Sequence, residues 1–184
     1  IMHTMRKFLA QPLSPSAINT YLDCRLRFYF SRIAKIDEPE TFQDAIDARM
    51  LGNILHRAMQ YLYQDLALSK SNQQSVNAID FLFLNQQVPS AIDRAFGKEI
   101  AGDEQLRIEY TGSYLVILEV IKVYIQAILD CDERYTPFNI RFLEQPVENQ
   151  FTVLSNDKEW KIKIGGIIDR VDEKNGVYRI IDYK

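Results

Sequence analysis

Along this chain the apolar residues change their spacing once, near Pro137. Before it they recur at helical intervals, and after it they alternate. Ser14 suits an N-cap and Pro15 the first helical position, and Ile18, Tyr21, Leu22, Cys24, Leu26, Phe28, Tyr29, Phe30 and Ile33 continue a wide helical stripe. Asp37-Glu38-Pro39-Glu40 breaks it. A second helix is expected over about 45–68, with Leu51, Leu55, Ala58 and Leu62 on one face. Gly52 lies inside it at a cost of about 1 kcal/mol relative to alanine, which points to close packing or a helix start. After a polar linker at 69–74, two shorter helices are expected, at 76–84 and 89–99, with Gly97 and Gly102 near the breaks. The segment 106–129 reads as a long helix that is apolar on most sides. Its polar line is only Glu119, Lys122, Gln126 and Asp130, so it is expected to be largely buried.

Beyond Pro137, strands are expected at 138–147, 150–154, 160–171 and 177–184, with turns at Asn156-Asp157-Lys158 and Asn175-Gly176. The fold class is therefore α/β (α+β). A helical part, about 13–136, packs on a mixed, largely antiparallel sheet, about 137–184, in a single domain spanning 1–184.

Asn-Gly between apolar runs is the strongest local hairpin signal, because a type I′ turn needs positive φ at both central residues. With Asn175 and Gly176 as the loop, Lys174 faces Val177, Val171 faces Ile180, Asp169 faces Asp182 and Ile167 faces Lys184. Opposed residues share a face with Cβ atoms about 5 Å apart, where two carboxylates repel. A divalent cation between them removes that penalty, and hard cations such as Mg²⁺ take carboxylate oxygens. Ile167, Val171 and Ile180 are expected to bury this face in part, which makes unpaired carboxylates there costly. Taken alone, Asp182-Tyr183-Lys184 is a common tripeptide, equally at home on a surface hairpin with Lys184 paired to Asp182.

His56 lies beside the apolar stripe of the second helix, at the rim of whatever that helix packs on. Most lone helical histidines are structural, but packing on the hairpin would let this one join Asp169 and Asp182 as a ligand. In Cys24–Lys35, the basic Arg25, Arg27 and Arg32 interleave with aromatics. That suits phosphate contacts and base stacking, and equally a core stripe with a solvated basic face. Composition adds limits. A net charge of −3 argues against broad nucleic-acid affinity, two cysteines make no disulfide framework, and no apolar run could span a membrane. A reducing, cytoplasmic setting follows as the expectation. The chain opens on Ile1 and stops at Lys184 inside an expected strand, so it reads as a fragment of a longer protein.

Four motifs, in order, resemble the PD-(D/E)XK nuclease superfamily in its RecB/AddB-like branch. Leu13 to Cys24 with Phe28-Tyr29-Phe30 is similar to the opening helix of that family, and Gly52-Asn53-Ile54-Leu55-His56 to its histidine motif. Gly165 to Asp172 is similar to its first acidic strand, and Ile181-Asp182-Tyr183-Lys184 to its Asp-x-Lys. The resemblance implies a restriction-endonuclease-like core, C-terminally truncated here. It implies hydrolysis of DNA phosphodiesters with Mg²⁺ or Mn²⁺, as part of a larger DNA-repair helicase–nuclease whose partners are DNA and a helicase domain or subunit. His56, Asp169, Asp182 and the Tyr183 backbone carbonyl would bind the metal. Asp169, Asp182 and Lys184 would be catalytic, with Glu144 as an auxiliary acid. Arg25, Arg27 and Arg32 would contact DNA. Some relatives carry an iron–sulfur cluster using a cysteine at the place of Cys24, but Cys24 reads equally well as an ordinary helix residue and no cluster is expected. Arg25 stands where a proline often follows that cysteine. The alternative function is a non-catalytic module with this fold that only holds DNA or scaffolds a subunit.

Overall fold

The computed structural model describes residue 8 and residues 11–36, 48–71, 73–155 and 158–183. The expected break at Asp37–Glu40, the expected turn residues Asn156 and Asp157, and Lys184 lie outside them. The elements are helices α1 (Pro15–Asp23), α2 (Arg25–Phe28), α3 (Ala48–Ser69), α4 (Asp80–Ala101) and α5 (Ser113–Tyr135), with a π-helical turn over Tyr29–Ile33. The strands are β1 (Ser75–Val76), β2 (Phe138–Ser155), β3 (Lys158–Lys174) and β4 (Val177–Ile181), in the order β1-β2-β3-β4. Among the described residues, no helix is long and apolar enough to cross a membrane. The chain forms two compact units, one of residues 1–42 and 145–168, the other of residues 43–144 and 169–184.

In the first unit, the Ser14 hydroxyl accepts the Ala17 N–H at 3.1 Å, so the expected cap opens α1. The helix does not run on to Ile33. Cys24 is extended (φ −156°, ψ 108°), and its Sγ accepts the Arg27 N–H to start α2 afresh. Leu13 makes a parallel bridge to Ile164, donating to the Lys163 carbonyl at 2.8 Å and accepting from Gly165 at 3.0 Å. That isolated parallel bridge lies outside the four-stranded antiparallel sheet.

The second unit holds α3, α4 and α5, with β1, the start of β2, the end of β3 and β4. The expected stripe of α3 is its core face: Leu55, Ala58 and Leu62 are buried, with Met59 and Leu66 beside them. Leu84, Ile92 and Phe96 of α4, Ile121 and Ile125 of α5, and Phe138 complete the same cluster. Three expectations change. The two short helices are one, α4, which runs through Pro89 and ends at Gly102 with φ 74°. An interior proline costs about 3 kcal/mol, but a helix that buries Leu84, Ala91, Ile92, Ala95 and Phe96 along one face more than offsets it. Val76 is not helical, pairing instead with Phe138 in β1. Helix α5 buries only Ile117, Ile121, Ile125, Leu129 and Asp132, while Val123 is 66% exposed. The fourfold spacing of those isoleucines makes one seam, and α3 and α4 line it.

The two expected strands at 138–147 and 150–154 are one strand, β2. It runs through Pro146, which donates no ladder bond. The turn forms as expected, with φ 55° at Asn175 and 79° at Gly176. The Glu173 carboxylate accepts the Gly176 N–H at 2.6 Å and bonds Asn139 and Arg141, and those bonds hold its carboxyl below the usual carboxylate range.

Gly52 and Gly97 make opposite predictions. A Cβ on Gly97 would collide with the Leu106 carbonyl oxygen and sit 2.6 Å from that of Asp103, whereas one on Gly52 would meet nothing within 4 Å. The close packing expected at Gly52 is thus absent. Gly97→Ala should lower unfolding stability by about 1–3 kcal/mol, and Gly52→Ala should raise it by about 0.5–1 kcal/mol. Urea denaturation monitored by circular dichroism checks both signs.

Candidate metal centre

The β3–β4 ladder keeps the register that the turn dictates, pairing Lys174 with Val177, Val171 with Ile180 and Arg170 with Ile181. β4 ends at Ile181, so Asp169 and Asp182 stand one step past the last pair. Helix α3 brings His56 to the same place. The imidazole and the two carboxylates each offer an atom, and these atoms lie within 4.8 Å of one another. His56 Nδ1 is 3.1 Å from Asp169 Oδ2. Neighbouring ligands of an octahedral ion with bonds of 2.0–2.1 Å stand about 3.0 Å apart. The donor set suits a hard divalent cation, and the His56–Asp169 distance matches that of neighbouring ligands. Asp169 is buried, His56 half-buried and Asp182 exposed, so the cluster has an open side. The apolar shielding is thinner than expected: Val171 is buried, but Ile167 and Ile180 are 65% and 69% exposed, because no described strand lies beyond β4.

A polar cleft of about 270 Å³ adjoins His56, lined by Asn53, Arg57, Gln60, Glu99 and Glu144. Arg57 pairs with Glu99 across it. Glu144 sits in β2 with φ 51°, a left-handed state that costs a non-glycine residue about 1 kcal/mol. Partial burial pushes its carboxyl pKa up. The nearby charge of Asp169 adds to this, and His56 and Arg57 offset part of it.

Tyr183 closes the other side. Its N–H donates to Asp169 Oδ2 at 2.9 Å, and its ring meets His56 edge-on. Beneath it lies a charged cluster that the sequence motifs do not single out. The buried Arg170 donates to Tyr183 Oη at 3.0 Å, to Asp132 at 2.7 Å and to Asp172 at 3.0 Å. Arg179 donates to the same two aspartates. Half of this is legible in the sequence, because the register that opposes Asp169 and Asp182 also opposes Asp172 and Arg179. Asp132, on a helix distant in sequence, gives no signal.

Of the other expected residues, Arg25, Arg27 and Arg32 belong to the first unit, with Arg25 over the Tyr21 ring. Arg25 and Arg27 are exposed. Cys24 and Cys131 are free thiols.

Glu144 is predicted to destabilise the metal-free fold. A carboxyl whose folded pKa is raised binds its proton more tightly when folded, so stability falls as pH rises from the ordinary glutamate value through the raised one. Glu144→Gln should therefore raise the Tm at pH 7 in the presence of a chelator. The gain should shrink toward pH 4 in a thermal-melt pH series.

The family model of the PD-(D/E)XK nuclease superfamily matches residues 12–184. An ATP-dependent helicase/deoxyribonuclease subunit of Carboxydothermus hydrogenoformans is 26% identical over 184 residues, covering 97% of this chain. The chain spans 16% of the length of that relative. With a family match over nearly the whole chain, the conclusion is direct: this chain belongs to the PD-(D/E)XK nuclease superfamily.

Proposed function

We propose that this chain is the nuclease domain of a larger DNA-repair helicase–nuclease and hydrolyses DNA phosphodiester bonds with Mg²⁺ or Mn²⁺. The observation that carries the reading is the meeting of His56, Asp169 and Asp182 at the open end of the β3–β4 hairpin. The name of the relative, a helicase/deoxyribonuclease subunit, supports DNA as substrate and a helicase as partner.

His56, Asp169 and Asp182 hold the cation, with the carbonyl of Tyr183 as a further ligand. Bound there, the ion supplies positive charge to a phosphoryl oxygen and acidity to a water. Asp169 at the end of the β3–β4 ladder and Asp182 just past β4 keep it fixed, so little reorganisation is needed when the substrate arrives. Lys184 follows Asp182 by two residues in the sequence, as in the Asp-x-Lys of the family. Its ammonium orients the attacking water and stabilises charge on the phosphate as it goes through the transition state. Arg25, Arg27 and Arg32 supply phosphate contacts.

The test is Mn²⁺-dependent cleavage of linear DNA by the full-length protein. Asp182→Ala and Asp169→Ala each remove a ligand whose loss is expected to cost about 4 kcal/mol, a rate loss of about 10³-fold. Cleavage unchanged in Asp182→Ala contradicts the role of that residue. DNA binding with no cleavage under any metal supports the non-catalytic module instead.

A further inference from the structure

The backbone and ring of Tyr183 adjoin every member of the candidate trio. Its N–H donates to Asp169 Oδ2, its ring lies edge-to-face on His56 with centroids 5.8 Å apart at 89°, and it follows Asp182 directly in the chain. The hydroxyl points the other way and accepts from Arg170 Nη1 at 3.0 Å. Arg170 is fully buried and cannot drift: its guanidinium lies 4.4 Å over the Tyr63 ring, and its Nη2 donates to Asp132 and Asp172. Asp132 in turn accepts the Tyr63 hydroxyl at 2.6 Å. Tyr63 and His56 are two turns apart on α3, hence on one face. One hydrogen-bonded chain thus runs from the helix that carries His56, through α5 and β3, to the residue that adjoins all three donor groups.

We propose that the side chain of Tyr183, clamped by Arg170, is a positioning residue that sets the spacing of His56, Asp169 and Asp182 for a divalent cation. This rests on reading those three residues as the metal site. The clamp acts from the buried side and leaves the open side of the cluster to substrate. Without the hydroxyl bond, the Tyr183 ring has no polar anchor against rotation. Its backbone N–H and its contact with His56 then lose their fixed relation to Asp169. Partners of this outer kind commonly change metal affinity by about 10–100-fold.

Calorimetric titration of the full-length protein with Mn²⁺ alone tests this without an activity assay. Tyr183→Phe should raise the Mn²⁺ Kd by about tenfold while the variant stays folded. Arg170→Lys, which keeps the buried charge but withdraws Nη1 from the hydroxyl, should raise it comparably. Tyr110→Phe is the control, because that half-buried hydroxyl bonds Asp93 within the same unit, away from the trio. It should lower the Tm and leave the Kd unchanged. Tyr183→Phe with the parent Kd overturns the positioning role, provided that Asp169→Asn loses Mn²⁺ binding. If Asp169→Asn binds Mn²⁺ as tightly as the parent, or the parent binds none, the metal-site reading itself falls and the positioning role falls with it.

Discussion

A single buried guanidinium, that of Arg170, ties the helices of the second unit to its hairpin. Two cations, Arg170 and Arg179, meet two anions, Asp132 and Asp172, so the cluster is neutral as a set. Taking such charges out of water costs several kcal/mol per ion, and only dense hydrogen bonding recovers it. Burial opposes the charge on Arg170, yet Tyr63, Tyr183, Asp132 and Asp172 hold its pKa above the ordinary value. Arg170 Nε and Asp172 Oδ1 have no hydrogen-bond partner among the described residues. A cluster that costly stabilises little compared with an apolar core of the same volume. Its consequence is geometric, because it fixes α3, α5 and β3 in one register.

That register decides where the carboxylates stand. An even two-residue turn makes Asp169 and Asp182 neighbours, and the clamp on Tyr183 brings His56 of α3 over them. Asp169 Oδ2 accepts the Tyr183 N–H and lies 3.1 Å from His56 Nδ1. Asp169 is buried against these groups, and Asp182 is exposed. Glu144 adds a third acid nearby, held in a strained backbone state. A divalent cation would offset the mutual repulsion of such carboxylates.

The parts that were legible in the sequence share one property: their cause is local. Asn175-Gly176 demands its turn type whatever surrounds it, and the pairing of strand residues follows by counting. Ser14 and Pro15 start a helix by their own chemistry. The stripe that buries Leu55 and Leu62 likewise placed His56 at its rim. The misread parts have distant causes. Pro89 reads as the start of a separate short helix, but packing against α3 carries one helix through it. Helix α5 is apolar nearly all round, and only its neighbours decide that one seam is buried. Cys24 has no propensity signal for a break, and the extended backbone there shows only in the fold. Asp132 reaches Arg170 across 38 residues of sequence, so no spacing rule could find it.

The central claim is that His56, Asp169 and Asp182 together hold one divalent cation. Crystals grown with Mn²⁺ and measured at the manganese absorption edge test it most directly. The account predicts one strong anomalous peak bonded by an imidazole nitrogen of His56 and by oxygens of Asp169 and Asp182. An anomalous map with no peak among these three residues, under conditions where the protein cleaves DNA, would contradict it.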